Sequence, residues 1–331
     1  RTFTIATDNA SSDESDDARR YAAELGVEQV VERITAEQAL ALLPDVIEAS
    51  SEPFGDYSIF PTMLVSKLSS EEFTVMLSGD GGDELFWGYP ERTADLIRFS
   101  PVFRRSYPIR RIQSKVRDLL GRPRTASLSA RTIGEWYRTR HTRLKRGWLE
   151  QIFPEINGSR GDFDGYDYFG SDQDETAQWL RLNEFQYHLT MVLLKVDRAS
   201  MHFSQEVRVP LLDKQVIETA ARVDWQSCID IDQKIGKMPL RMSLSRHVHH
   251  QTAAKRGFEA PMSDWLRGPL RESFEDLVLS RDNFFGQPID QSALRLLYDR
   301  HLSGREDHAS GLWPLLSLAL WQDHHFRASM G

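Results

Sequence analysis

The sequence predicts an α/β protein: residues 1–95 as part of a doubly wound parallel sheet, residues 96–331 as a mostly helical portion that completes the site. Three observations predict it. Before Pro90, short apolar or β-branched runs alternate with stretches of helical period, the pattern of parallel strands joined by crossover helices. A glycine-rich acidic turn follows one of those runs, where ligands bind in doubly wound sheets. Beyond Pro90 helical periodicity dominates, interrupted by an Arg-rich connector and by a Gly/Asp-rich stretch, Gly158 to Asp174, that reads as a surface loop.

Taken in order, Phe3 to Ala6 is a short buried strand. Asp13 to Leu25 sets Ala18, Tyr21, Ala22 and Leu25 at helical spacing before the stop residue Gly26, and its acidic start suits the positive end of the helix dipole. Val27 to Ile34 is a second strand. Thr35 caps a helix with Ala36, Leu40 and Leu43 on one face, with a restart expected after Pro44. Pro61 to Leu68 is a further helix leading to the strand Thr74 to Leu77.

Composition narrows the class. With 331 residues, 40% of them hydrophobic, the chain can bury a substantial core. No apolar run approaches the roughly 20 residues that span a bilayer, and Arg1 to Ile5 do not open a signal peptide. A cytoplasmic protein without a membrane partner is expected. The net charge of -8 argues against a nucleic-acid partner, which requires a surplus of Lys and Arg. Locally the balance reverses: between Phe103 and Gly147 fourteen Lys and Arg stand against Asp118 and Glu135, either a solvated face or a docking face for an acidic partner or neighbouring domain. Cys228 cannot form an internal disulfide and reads as a plain buried thiol, and His247, His249 and His250 lack carboxylates at metal spacing.

The chemistry concentrates in Leu77-Ser78-Gly79-Asp80-Gly81-Gly82-Asp83-Glu84-Leu85-Phe86. Glycines let the backbone approach a phosphate, whereas Asp80, Asp83 and Glu84 repel one unless a cation stands between. Mg²⁺, which bridges carboxylates and substrate phosphates, satisfies both. An acidic calcium turn or a tight loop with solvated carboxylates would use the same letters.

That loop, with Gly88-Tyr89 after it, resembles a signature of the glutamine-hydrolysing asparagine synthetase family, and three further blocks follow in the family's order. They are Leu194-Lys195-Val196-Asp197-Arg198-Ala199-Ser200-Met201 with Glu206 to Asp213, then Lys255-Arg256-Gly257-Phe258 with Trp265 to Leu270, then Leu312 to Trp321. Thr2-Phe3-Thr4-Ile5 and Asp13-Glu14 look like the second strand and following helix of an ATP-pyrophosphatase sheet. The resemblance implies that fold, ATP and Mg²⁺ as ligands, and formation of asparagine from aspartate through a β-aspartyl adenylate. It implies Ile5, Ser78, Gly79 and Asp80 at the nucleotide, Asp83 at Mg²⁺, and Asp80, Lys255 and Arg198 as catalytic residues. Glu52-Pro53-Phe54-Gly55-Asp56-Tyr57-Ser58 resembles the substrate-side segment, with Tyr57 in place of the common proline, which weakens any statement about the bound carboxylate. Asp56, Ser58 and Glu206 are the substrate-side candidates. Without the resemblance, Arg198 beside Asp197 reads as an ion pair, Glu206 with Arg208 as a structural pair and Lys255 as a surface lysine.

Two expected parts are missing: the family's S-G-G-x-D-S pyrophosphate loop on the preceding strand, and the glutaminase domain that supplies ammonia. Truncation of a longer polypeptide is the expectation, and a homodimer is compatible with it. A related amidotransferase acting on a peptide or sugar acid, and a non-catalytic binding domain, stay open as alternatives.

Overall fold

The computed structural model describes residues 1–7, 13–121, 125–156, 164–249 and 260–326. Strand β1 (Thr2–Ala6) runs parallel to β2 (Gln29–Arg33) with Thr4 opposite Val31, and helix α1 (Ser15–Leu25) crosses between them. Gly26 ends that helix at φ 65°, a left-handed conformation that a side chain disfavours. Helix α2 (Ala36–Ala49) opens on a reciprocal cap: Thr35 Oγ1 accepts from the Gln38 amide at 3.2 Å and Gln38 Oε1 from the Thr35 amide at 2.9 Å. It does not restart at Pro44. Buried Leu42, Val46 and Ile47 on either side hold the helix through the missing N–H.

Helix α3 (Ile59–Ser70) is buried along most of its length, so it lacks the amphipathic period of a surface helix. It leads to β3 (Val75–Leu77), which pairs in parallel with β4 (Glu206–Arg208), Leu77 opposite Arg208. β4 lies in the block Glu206 to Asp213, where no strand was expected. Between them come α4 (Gly82–Leu85), α5 (Pro90–Phe99), α6 (Tyr107–Leu119), α7 (Ala126–Ser129), α8 (Ile133–His141), α9 (Arg146–Ile152), α10 (Gln173–Asn183) and α11 (Leu189–His202). The last two are joined without a break by a π-helical turn, Glu184–His188.

After β4 the chain forms α12 (Lys214–Arg222), α13 (Met238–Leu244), α14 (Met262–Arg267), α15 (Arg271–Leu277), the hairpin β5 (Asn283–Phe284) and β6 (Gln287–Pro288), α16 (Gln291–Leu302) and α17 (Ala309–Phe326). One apolar core joins distant sequence: Ile5, Ile34, Phe54, Phe60 and Met63 pack with Trp265, Phe274, Tyr298, Trp313 and Leu316. Phe60 meets Trp265 and Trp313 edge-on at centroid distances of 5.3 and 5.2 Å. A second core gathers Leu85, Trp87, Ile97, Tyr137, Leu180 and Cys228.

The expected single doubly wound sheet does not form among the described residues: the strands make two separate parallel pairs, β1·β2 and β3·β4. A groove of about 310 Å³ separates β1 from β3. Phe3, Thr4 and Ile5 line one wall, Met76, Leu77, Ser78, Asp80 and Val207 the other, while Val65, Ser66 and Ser69 of α3 and Val196 of α11 also line it.

Candidate active site

The glycine-rich loop starts where β3 ends. The Ser78 amide donates to the Arg208 carbonyl at 2.9 Å, continuing the parallel pair, and Ser78 Oγ donates to Asp80 Oδ2 at 2.7 Å. Asp80 is thereby held at the mouth of the groove, together with Ser78 and Ile5. Gly81 has φ 83°, and a Cβ there would collide with Leu212; one at Gly88 would strike Asp83. These glycines let the turn close tightly against its neighbours.

The three acids of the loop diverge. Asp80 turns to Ser78, whereas Asp83 Oδ1 lies 2.6 Å from the Lys237 ammonium. Glu84 is buried at 2% exposure and accepts from the Tyr89 hydroxyl at 2.7 Å. Burial pushes the Glu84 carboxyl above its ordinary range, against the Tyr89 hydrogen bond. The acids therefore do not form a three-ligand metal cage, and the group with that geometry among the described residues is Asp45, Glu48 and His202, away from the loop. Asp83 with phosphate oxygens still fits a cation such as Mg²⁺, which takes one or two carboxylates and completes its shell from substrate and water. Lys237 occupies Asp83 Oδ1 here, so a metal ion would have to use the other oxygen or displace the lysine.

The second polar set sits at the start of α3. Asp56 accepts from the Ser58 amide (3.1 Å) and hydroxyl (2.8 Å), a local turn in which a short acidic side chain bonds the backbone two residues on. Lys195 Nζ donates to Ser58 Oγ at 2.7 Å and lies 3.7 Å from Asp56 Oδ2, and Arg143 Nη2 lies 3.7 Å from Asp56 Oδ1. Burial alone would raise the Asp56 carboxyl, but Lys195, Arg143 and Ser58 together hold it below its ordinary value. It is a partly buried carboxylate kept ionised by two cations.

The structure thus brings together Ile5, Ser78 and Asp80 at the groove, and Asp56 with Ser58 in the turn ahead of α3. Arg198 shares a helix face with Lys195, and its Nε is buried without a hydrogen-bond partner among the described residues. Glu206 is not brought in: it pairs with Arg208 at 2.8 Å on β4 and is exposed. Lys255 lies outside the described residues.

Sequence reasoning did not assign Lys195 or Arg143 to the site, although Lys195 stood in a quoted block. It also missed a buried network in the helical half. Glu184, 3% exposed, accepts from the Tyr137 hydroxyl at 2.7 Å, and its other oxygen lies 3.8 Å from Arg92. Burial pushes this carboxyl up to about 7. His141 and His188 flank the network, and burial beside Arg92 pulls both down to about 3. The Tyr89 ring packs against His188 at 5.0 Å and so ties the network to Glu84.

The family model described as asparagine synthase matches residues 1–323. A putative glutamine-hydrolysing asparagine synthetase of Mycobacterium tuberculosis (strain ATCC 25618 / H37Rv) is 30% identical over 97% of this chain and 50% of its own length. Asparagine synthetase [glutamine-hydrolyzing] 1 of Bacillus subtilis (strain 168) is 27% identical over 97% of this chain and 51% of its own. A putative asparagine synthetase [glutamine-hydrolyzing] 2 of Methanocaldococcus jannaschii is 53% identical over 16% of the chain. The chain spans about half the length of the curated relatives it matches throughout. With 323 of its 331 residues inside the family match and the glycine-rich loop folded against a groove, the chain belongs to the asparagine synthase family.

Proposed function

We propose that this chain is the ATP-using part of an enzyme that converts aspartate to asparagine, with ammonia supplied by a glutamine-hydrolysing part outside these residues. The observation that carries the reading is that one pair of helices borders both polar sets. Helices α3 and α11 line the groove with Val65, Ser66, Ser69 and Val196; Asp56 and Ser58 form the turn that leads into α3, and Lys195 reaches them from α11. Nucleotide and carboxylate would therefore meet at a site shared by both.

In this reading, Ile5 and the Ser78-Gly79 backbone hold the nucleotide, and Asp56 and Ser58, steadied by Lys195, contact the substrate. An oxygen of the aspartate side chain attacks the α-phosphorus; the bond to the β-phosphate breaks and pyrophosphate leaves. Ammonia then attacks the acyl carbon, the acyl bond to AMP breaks, and Asp80, aligned by Ser78, takes the surplus proton from nitrogen. Arg198 and Lys255 stabilise negative charge on the phosphate. Asp83 would hold Mg²⁺, which supplies charge neutralisation to the polyphosphate.

The groove also supports a missing strand. β1 pairs with β2 and β3 with β4, and the remaining flanks of β1 and β3 bound the groove. We propose that a strand from outside these residues, carrying the pyrophosphate-binding loop, pairs there and joins the two halves into one doubly wound sheet.

The test supplies the protein as encoded with ATP, ammonia and aspartate labelled with ¹⁸O in its side-chain carboxylate. Label in AMP together with asparagine is expected, and Asp80→Asn should lower kcat by roughly 100-fold or more. AMP released with another carboxylate but not aspartate would move the reading to a related amidotransferase. No AMP with any carboxylate would remove the adenylating reading.

A further inference from the structure

Helix α6 is turned inside out. Its protein-facing side is polar: Arg110 is 2% exposed and Ser114 6%. The Arg110 guanidinium donates to four main-chain carbonyls, of Arg105, Ser127, Ala130 and Arg131, at 2.7–3.2 Å, and lies 4.2 Å from the centre of the Phe103 ring. Because these bonds fix the rotation of the helix, its other side must face solvent. That side is aliphatic. Ile109, Ile112, Val116 and Leu119, with Leu120 just past the helix end, are exposed by 51, 62, 48, 86 and 66%. Arg111 and Lys115, both exposed, border this stripe on one edge and Arg117 lies towards the other.

An aliphatic stripe held in water needs an occupant, and the surrounding charge says which kind. Arg110 is spent on main-chain carbonyls, and Arg104, Arg140, Arg143 and Arg146 lie beside carboxylates elsewhere, but Arg111, Lys115 and Arg117 leave the stripe itself bordered by cations in a chain of net charge -8. The occupant is therefore anionic as well as apolar. Protein interfaces concentrate their energy in Trp, Tyr and Arg anchors at the centre of the patch, and this stripe is made of Ile, Val and Leu alone. A second copy related by a twofold would set the same basic edge near itself. A lipid surface asks only for aliphatic area bordered by cations.

We propose that α6 lies flat on an anionic membrane surface, with Ile109, Ile112, Val116 and Leu119 among the acyl chains and Arg111 and Lys115 at the phosphates. This is a peripheral contact. Among the described residues no helix is long and apolar enough to cross a membrane; the expectation of no membrane partner rested on spanning runs and a signal peptide, neither of which bears on a helix lying on the surface. The proposal stands apart from the amide-forming chemistry, since none of these residues belongs to the groove or to the Asp56 set.

The test is sedimentation of the protein as encoded with two kinds of vesicle, pure phosphatidylcholine and phosphatidylcholine containing phosphatidylglycerol. Binding to the anionic vesicles alone is expected. Ile112→Asp combined with Leu119→Asp should lower the partition coefficient roughly tenfold or more, and Arg111→Gln combined with Lys115→Gln should lower it and flatten its salt dependence. Ile112→Trp should raise binding, a gain that misfolding does not produce. Absence of binding to anionic vesicles, or equal binding by the Asp variant, overturns the proposal. A change of oligomeric state in that variant without vesicle binding would assign the stripe to a second copy instead.

Discussion

Lys195 connects the two polar sets at the residue scale. It donates to Ser58 and approaches Asp56, both at the start of α3, while its neighbour Val196 lines the groove. Lys195→Met leaves a partly buried carboxylate with Arg143 as its remaining cation, so the loss should stay below the ~3 kcal/mol at which stripping a fully buried pair begins. The sign with pH follows from Asp56, whose folded value lies below its ordinary 3.8. Its stabilisation is present above about 3.8 and is lost as pH falls through the lower folded value. Urea denaturation should therefore show a clear loss for Lys195→Met near neutral pH that shrinks in acid. A loss of the same size at both would mean that Lys195 acts through packing alone. Sequence showed Lys195 and Asp56 in separate blocks, and nothing local told that a lysine on α11 would reach a turn ahead of α3.

Helical elements with local signals were legible and those defined by an irregularity were not. The α2 cap could be read because Thr35 and Gln38 lie within one turn. The π-helical turn Glu184–His188 has no such signature, since an inserted residue leaves both flanking helices with their usual period. Its Glu184 makes the turn testable. Burial holds this carboxyl at about 7 against an ordinary 4.5, so the native state binds a proton that the unfolded chain has released. That contribution to stability is fully present below about 4.5 and is lost as pH rises through about 7. His141 and His188, held down at about 3, act in the opposite sense: theirs is present above 6.5 and lost as pH falls towards 3. The comparison of parent with Glu184→Gln isolates the first effect. The variant's denaturation midpoint should decline less than the parent's between about 4.5 and 7; parallel profiles would show Glu184 ionised throughout.

The whole molecule is decided by pairing across long separations. β3 pairs with β4 across the whole run of intervening helices, and one core joins Ile5 to Leu316. If a further strand fills the groove, the β1 and β3 amides directed into it should exchange slowly with deuterium in the protein as encoded. Fast exchange there would leave the two sheets separate. What the sequence determined by itself was local or compositional: the strand and helix before Gly26, the Thr35 cap, the glycine-rich loop after β3, and the blocks that carry the family. Each depends on residues a few positions apart, whose spacing sets their hydrogen bonds and faces directly. Only the tertiary structure decided that Asp83 meets Lys237, that Glu84 turns inward to Tyr89, that Lys195 and Arg143 hold Asp56, and that α6 presents its aliphatic side to solvent. Those outcomes follow from which elements pack together, because a charged side chain takes whichever partner the packing brings within reach.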